Sequence, residues 1–441
     1  MTPVLVVGGG LAGLAAGLAL SRRSIPVIVL EQRAVPGGRT YSFVHRETGD
    51  VLDNGQHLLI AGYRRTLRYL EQIGTRDLLR VQRPARYLFY HPERGFAHFE
   101  LPRIWPPLNL LAGILTTPLL ARGDRWGMLR AGVSLLSKEQ QSALADHQTI
   151  SDWLDTTRQS AEARRSFWNP LAVSIMNEHP GVASAVAFRA ALRGAFLQDP
   201  ESAAPALPTV GLSDLLVWPA VREIERSGGV VRCAAAVESL RFAHGHISGV
   251  QLRDGSILDA RAVILAVPPG VLTQLPGRAS PEQPADAMGF SPIITIYLWL
   301  EGHPVRDPMV GFVGRTLQWI FDRSALGGRD PARGQLCAAV ISAAGEFDRV
   351  SNADLVERII GELSEAYGRG TVRVRRSLVL RERRATVALT PRGERLRPGM
   401  STSVPNLFRA GDWTATGYPA TIEGAIVSGE EAAERVGALW G

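Results

Sequence analysis

Short apolar runs separated by glycine-rich turns open the chain and predict an α/β fold. Residues 4–7 form an apolar run, the glycine-rich turn 8–13 follows, and a second apolar run at 26–30 comes after a helix-length segment. A continuous apolar run of this length is typical of a strand buried on both faces of a parallel sheet. We therefore predict a β–α–β unit at the N-terminus.

Similar patterns return in the middle and at the end of the chain. We predict a helix over 211–227, short strands that include residues 262–267, and a last helix over 422–439. On the last helix the apolar spacing predicts an outer face that carries the charged residues Glu430, Glu431, Glu434 and Arg435.

The predicted fold class is α/β with two domains, which agrees with a length of 441 residues. A Rossmann-like dinucleotide-binding domain is predicted from three separated segments, 1–70, 211–285 and 400–441. The insertions 71–210 and 286–399 are predicted to form a substrate domain with a helical cap and a mixed sheet. The first insertion has mostly helical patterns, and the second contains strand-like runs.

The turn after the first strand has the chemistry of a dinucleotide site. Glycines let the backbone approach a pyrophosphate closely, and the N–H groups of the following helix start point at it. Glu31 ends the second strand 18 residues after the third glycine, where an acid binds the ribose of FAD or NAD. The residues predicted at the pyrophosphate are Gly8, Gly10, Leu11, Ala12 and Gly13.

Two further motifs favour FAD over NAD. The acid is followed directly by Gly37-Gly38-Arg39, and a distant C-terminal segment reads Ala410-Gly411-Asp412. With these motifs the chain resembles the amine oxidase and phytoene desaturase superfamily of flavoproteins. The resemblance implies that Asp412 faces the FAD pyrophosphate and ribityl chain, and that Val237 contacts the adenine through its backbone. It adds these FAD-binding residues to the glycine turn and Glu31: Gln32, Gly38, Arg39, Val237, Gly411, Asp412, Thr421 and Ile422.

The segment Asp53–His57 narrows the resemblance. Together with Phe167–Leu171, Ser174–Asn177 and Gly417–Glu423, it makes the chain similar to the hydroxysqualene dehydroxylase family over most of its length. The resemblance implies an FADH₂-dependent enzyme of squalene and hopanoid biosynthesis. Such an enzyme removes the hydroxyl group of hydroxysqualene, a long-chain isoprenoid lipid, and gives squalene.

Loss of a hydroxyl group from an allylic alcohol needs a proton donor, because hydroxide is a poor leaving group. We predict His57 as this acid, since the pKa of an imidazole lies near neutral pH, and Gln56 as the residue that orients the hydroxyl. His57 could instead pack on the flavin. Asp53 could cap a turn or act as the acid, and Trp413 and Tyr418 could line the substrate or pack on the cofactor.

Three other functions share parts of this pattern. A flavin amine oxidase of this type often uses a lysine beside the flavin, and the one lysine here, Lys138, lies in the helical insertion. A carotenoid or phytoene-type desaturase shares the cofactor and the lipid substrate and differs in redox direction. A non-catalytic prenyl-lipid binding protein is disfavoured by the intact set of Glu31, Arg39 and Asp412.

Net charge and cysteine spacing indicate which partners, metals and cellular compartment to expect for this protein. The net charge is +7, and no basic motif interleaved with aromatic residues is present, so we predict no nucleic-acid partner. An anionic membrane surface is the better candidate, with an arginine-rich genome as the alternative. Cys233 and Cys337 have no metal-ligand spacing, which predicts no metal site and a reducing cytoplasm. A single glycine fingerprint leaves the electron donor unknown.

The candidate membrane contact is the apolar stretch 106–121. Trp105 precedes it, and Arg122, Arg125 and Arg130 follow it. It is too short to span a bilayer, but an apolar helix with tryptophan and arginine flanks can lie in the interface. A buried cap helix is the alternative. We predict a cytoplasmic protein that is peripheral on the inner membrane.

Overall fold

The computed structural model describes residues 1–136, 147–272, 285–324 and 334–439. Its strands are β1 (Val4–Val7), β2 (Val27–Leu30), β3 (Ser42–Val44), β4 (Val51–Asp53), β5 (Leu59–Ile60), β6 (Leu79–Val81), β7 (Ala85–His91), β8 (Gly95–Leu101), β9 (Pro205–Pro208), β10 (Val230–Arg232), β11 (Val237–Ala243), β12 (His246–Leu252), β13 (Ile257–Asp259), β14 (Ala262–Leu265), β15 (Phe290–Leu300), β16 (Met309–Phe312), β17 (Trp319–Asp322), β18 (Gln335–Ser342), β19 (Val374–Val387) and β20 (Leu407–Arg409).

The described α-helices are α1 (Leu11–Ser21), α2 (Arg64–Gln72), α3 (Leu108–Thr116), α4 (Asp124–Leu136), α5 (Ile150–Thr156), α6 (Ala161–Ala163), α7 (Asn169–Met176), α8 (Ala185–Phe196), α9 (Trp218–Arg226), α10 (Pro269–Leu272), α11 (Asn352–Tyr367), α12 (Pro391–Arg395) and α13 (Ile422–Gly437). The π-helical turns Arg164–Trp168 and Ser213–Val217 lead into α7 and α9. None of the described helices is long and apolar enough to cross a bilayer.

One sheet is parallel and five-stranded, with the order β10-β2-β1-β14-β20. Its strands come from the N-terminus, the middle and the C-terminus of the chain. Helices α1 and α13 pack together against the sheet face that carries Val4 and Val6. Their approach is so close that a Cβ on Gly429 would lie 2.1 Å from Ala12 O. This arrangement confirms the predicted Rossmann-like fold class.

The second large sheet is mixed and seven-stranded, with the order β19-β15-β18-β17-β16-β7-β8. β16 pairs with β7 in parallel, and the other neighbours are antiparallel. Ile294 and Ile296 face α11, whereas Tyr297 and Trp319 face the opposite way and pack with Leu52 of β4. The first insertion, which is predicted to be mostly helical, also contains the hairpin of β7 and β8.

Two surface features differ from simple expectation. Glu430 of α13, predicted on the outer face, is buried, because Arg65 of α2 lies across the helix and donates to its carboxylate at 2.8 Å. Helix α3, in the apolar stretch, is buried on one side and exposed on the other. Ile114 is buried in the core, while Leu108 on the opposite face is exposed.

Candidate active site

The glycine turn between β1 and α1 leaves a gap of the kind that a pyrophosphate fills. Gly8 has a φ of +109°, and a Cβ on Gly13 would lie 1.9 Å from Gly8 O, so both positions require glycine. A Cβ on Gly10, by contrast, would meet no atom within 4 Å. Gly10 caps α1 without a side-chain hydrogen bond. The N–H groups that a helix leaves without an internal acceptor here belong to Leu11, Ala12 and Gly13.

Glu31 lies directly beyond the end of β2, beside this turn. Its buried carboxylate accepts hydrogen bonds from the backbone N–H groups of Gly9 at 2.8 Å and Arg33 at 2.9 Å. The N–H of Ala235 donates to Glu31 O at 2.9 Å, which brings the start of β11 at Val237 to the same edge. The two residues predicted to contact the ribose and adenine therefore lie close together.

Arg39 and Asp412 form an ion pair across 373 positions of sequence, with Nη2 and Oδ1 2.6 Å apart. Gly38, with a φ of +58°, lies over the glycine turn, where its Cβ would be 3.3 Å from Gly10 Cα. Gln32 is exposed. The ion pair of Arg39 and Asp412 joins the N-terminal and C-terminal parts of the predicted FAD site. The open glycine turn and the buried Glu31 beside it fit a dinucleotide.

The aromatic residues of the C-terminal motif differ in their surroundings. Trp413 is buried in the core and donates from Nε1 to Val267 O at 3.0 Å. A Cβ on Gly411 would lie 2.3 Å from that same nitrogen. Trp413 is therefore a packing residue and not a wall of the substrate site. Tyr418 is half-buried, and burial raises the pKa of its hydroxyl.

The N-terminal end of α13 is held by its own cap and by hydrogen bonds with α2. Thr421 caps α13 with its hydroxyl, and Ile422 is the first helical residue. Glu423 is fully buried and accepts hydrogen bonds from Arg65 N, Thr66 N and Thr66 Oγ1 at 3.0, 2.8 and 2.6 Å. Its carboxylate thus caps α2, and burial raises the pKa of this carboxyl group. This role of Glu423 is not predictable from the sequence, because Glu423 of α13 and Thr66 of α2 are 357 residues apart in the chain.

Asp53 holds the loop that follows β4. Its Oδ1 accepts hydrogen bonds from Ser42 Oγ at 2.7 Å and Leu212 N at 2.8 Å. The hydroxyl of Tyr297, on β15, donates to Asp53 O at 3.0 Å and accepts from Asp53 N at 3.2 Å. Through these contacts Asp53 holds the loop against β15 and against the segment that begins at Leu212.

Arg323 is the site residue that sequence reasoning missed. Its Nη1 lies 3.2 Å from Asp53 Oδ2 and donates to Gln56 Oε1 at 3.2 Å. Asn54 Nδ2 donates to Glu382 Oε2 on β19 at 3.0 Å. The loop is therefore held by Tyr297 on β15, by Glu382 on β19 and by Arg323, the residue after β17. Among 48 arginines, no local pattern distinguishes Arg323.

His57 lies at the end of this loop. Its Nδ1 is 2.8 Å from Gly55 O, and because a carbonyl only accepts, Nδ1 carries the hydrogen and Nε2 is the nitrogen available to a substrate. Burial lowers the pKa of His57, and the charges of Arg39 and Arg323 lower it further, against the Gly55 hydrogen bond and Asp53. The protonated ring is thus less populated but a stronger acid than a free imidazolium.

The family model described as flavin containing amine oxidoreductase matches residues 11–437. Hydroxysqualene dehydroxylases from Sinorhizobium fredii and Rhodopseudomonas palustris are 31% and 30% identical, over 98% of this chain and 97% and 98% of theirs. A 15-cis-phytoene desaturase from Synechococcus elongatus is more distant, at 23% identity over 98% of this chain and 95% of its own.

Among solved structures, an oxidoreductase from Methanosarcina mazei superposes with a TM-score of 0.75 at 16% identity. The match covers 98% of this chain and all of that one. A triple mutant of putrescine oxidase superposes with a TM-score of 0.72 at 17% identity, over 99% of both chains. At this identity the likeness supports the fold alone. Lys138, the residue relevant to amine oxidase chemistry, lies outside the described residues.

Proposed function

The chain belongs to the flavin containing amine oxidoreductase family and is an FAD-dependent oxidoreductase, and we propose that it removes the hydroxyl group of hydroxysqualene to give squalene. The observation that supports this choice of substrate is the full-length similarity to two hydroxysqualene dehydroxylases at 30% identity or above. The loop from Asp53 to His57, which Arg323 and Tyr297 hold in place, supports this proposal because it carries a histidine and an amide side chain.

The proposed reaction breaks the allylic C–O bond and forms a C–H bond at the carbon skeleton. Reduced FAD, when bound, supplies the hydride. The departing oxygen takes one proton and leaves as water, which balances the hydride that the substrate carbon receives. The protein's part is to deliver that proton and to hold the hydroxyl in place.

We assign the proton to His57 and the positioning to Gln56. Because Nδ1–H is held by Gly55 O, the protonated ring gives up its proton from Nε2. Gln56 accepts from Arg323 through Oε1 and donates one amide hydrogen to His57 O at 3.1 Å. Its second amide hydrogen is the one that we propose binds the substrate oxygen.

The test is an anaerobic single turnover. Photoreduced enzyme is mixed with hydroxysqualene, the visible flavin absorbance is followed, and the lipid product is identified by mass. We expect the flavin to be reoxidised while one equivalent of squalene forms per flavin. Failure to form squalene would refute the proposal. If the oxidised enzyme instead dehydrogenates phytoene, the chain is a desaturase.

We also propose that the protein works as a peripheral protein on the cytoplasmic side of the inner membrane. Hydroxysqualene is hydrocarbon apart from one hydroxyl group, so it resides in the bilayer, and access from the membrane spares it an aqueous crossing. Cys233 and Cys337 are both free, which suits a reducing compartment. Recovery of the protein in the soluble fraction at low and at high salt would oppose this location.

A further inference from the structure

Helix α3 turns an apolar face to solvent. Leu108 and Leu115, seven residues apart and so on one side of the helix, are 57% and 44% exposed, and Trp105 just before the helix is 70% exposed. The opposite side holds the buried Ile114. A soluble protein rarely exposes large apolar side chains in such a group without a partner.

Helix α4 repeats this arrangement independently. Trp126 and Val133 are also seven residues apart, and they are 70% and 68% exposed. Between them on the same side lies the exposed Arg130. The inner side of the helix carries Met128 and Ala131 into the same core cluster that holds Ile114 of α3. The two helices thus share one buried base and each present an apolar stripe outward.

Both helices are firmly attached to the molecule. A Cβ on Gly113 of α3 would lie 2.9 Å from Glu100 O of β8, and Thr117 donates from Oγ1 to His98 O at 3.0 Å. On α4, Ser134 Oγ accepts from Trp153 Nε1 at 3.1 Å. The exposed stripes are therefore held by a rigid base, and burying them in another medium requires no refolding.

The positive charge of the segment that carries the stripes favours an anionic partner. Residues 103–136 contain four arginines, Arg103, Arg122, Arg125 and Arg130, and a single acidic residue, Asp124. Arg122 and Arg130 are exposed. Tryptophans at the level of lipid headgroups, apolar side chains below them and arginines beside them are the composition of a helix that lies in an anionic bilayer interface.

We infer that α3 and α4 together form a docking surface for the anionic leaflet of a phospholipid bilayer, with Trp105, Leu108, Trp126 and Val133 inserted and Arg122 and Arg130 at the headgroups. The inference rests on the proposed function only for the reason to approach a membrane, namely a bilayer-resident substrate. Its test uses no substrate and no turnover, so failure of the dehydroxylation proposal and failure of the docking proposal are distinguishable.

The experiment is co-sedimentation of FAD-loaded protein with vesicles of phosphatidylcholine containing about 30% phosphatidylglycerol, an anionic surface like that of a cytoplasmic leaflet. We expect Trp105→Gln/Trp126→Gln to lower the partition coefficient at least about tenfold. The control Val44→Gln/Ile257→Gln changes two residues that are 62% and 50% exposed on other strands, and it should bind like the native protein. Equal binding by the tryptophan variant would overturn the inference.

Two further measurements distinguish an anionic bilayer from a second copy of the chain as the partner of this surface. Arg122→Gln/Arg130→Gln should lose several-fold binding to the anionic vesicles and little to pure phosphatidylcholine. Leu108→Cys, labelled with an environment-sensitive dye in a Cys233→Ser background, should shift its emission to the blue on vesicles. An unshifted dye would overturn insertion. A dimer that the tryptophan substitutions dissociate, with no vesicle binding by the native protein, would assign the surface to self-association instead.

Discussion

Asp53→Asn removes the negative charge that faces Arg323 and keeps nearly the same side-chain shape, so it isolates the buried ion pair. The asparagine oxygen can keep the contacts that Oδ1 makes with Ser42 and Leu212. Its amide group would then face a guanidinium whose side chain is only 9% exposed. We therefore expect the cost to arise from a buried guanidinium that has lost the opposite charge of Asp53.

Removing one partner of a buried ion pair costs about 3–5 kcal/mol. An unfolding entropy of about 2 cal/mol/K per residue, applied to a cooperative unit of 441 residues, converts this cost into a fall of about 3–6 °C in Tm. Differential scanning calorimetry of the FAD-loaded protein measures the change. The matched control is Asp259→Asn, because Asp259 pairs with Arg241 on the surface and is 80% exposed. Its Tm should move by less than about 1 °C.

A double-mutant cycle decides whether the ion pair is the cause. Arg323→Met combined with Asp53→Asn removes both charges, so the double variant should recover part of the stability that Asp53→Asn loses. We expect a coupling energy of at least about 1 kcal/mol. Effects that add to within about 0.5 kcal/mol, or an Asp53→Asn protein with the native Tm, would refute the reasoning.

His57→Ala should slow single-turnover reoxidation of the reduced flavin by hydroxysqualene about 10²–10⁴-fold at unchanged flavin content. His246→Ala, which removes an exposed imidazole with a similar Nδ1-to-carbonyl contact, should not, and a loss below about fivefold would assign His57 to packing. Burial lowers the pKa of His57, so the single-turnover rate of the native protein should still rise as the pH falls below about 6.5, the ordinary pKa of histidine. His57→Ala should lose this rise, and a native rate that does not change with pH would contradict the acid role. Glu31→Ala should weaken FAD binding, measured by fluorescence titration, by about 1.5–3 kcal/mol, and acid precipitation of the native protein should release all of its flavin; colour left in the pellet would contradict non-covalent binding. Glu423→Gln should lower the Tm by about 2–3 °C through weakened capping of α2, with Glu431→Gln on the same helix as the neutral control; equal melting of the two variants would oppose this role.

The dinucleotide site could be predicted from sequence because its residues follow from local backbone geometry. Gly8 needs its positive φ and Gly13 its missing side chain wherever a strand turns into a helix this tightly. Glu31 follows a four-residue apolar strand whose end is easy to recognise. Such requirements depend on near neighbours in the chain and therefore leave a readable spacing.

The contacts of the loop after β4 could not be predicted in the same way. Arg323 meets Asp53 across 270 positions, and only the folded sheet brings the two charges together. The error at Glu430 has a similar origin. A helical pattern assigns a carboxylate to solvent, but Arg65 from a neighbouring helix supplies a partner that makes burial tolerable.

The fit of Gly429 against Ala12 has a consequence for how the protein is made. At about 5–20 residues per second, synthesis of 441 residues takes on the order of 20–90 s, and helix α1 lacks its partner α13 for nearly all of that time. Strand β20 is also the last to join its sheet. Premature termination near residue 400 would leave Ala12 and Ala16 uncovered, and such chains should be degraded, not accumulate as flavin-free protein. FAD then stabilises by mass action only chains whose C-terminus has docked, so removal of FAD should lower the stability of the finished protein.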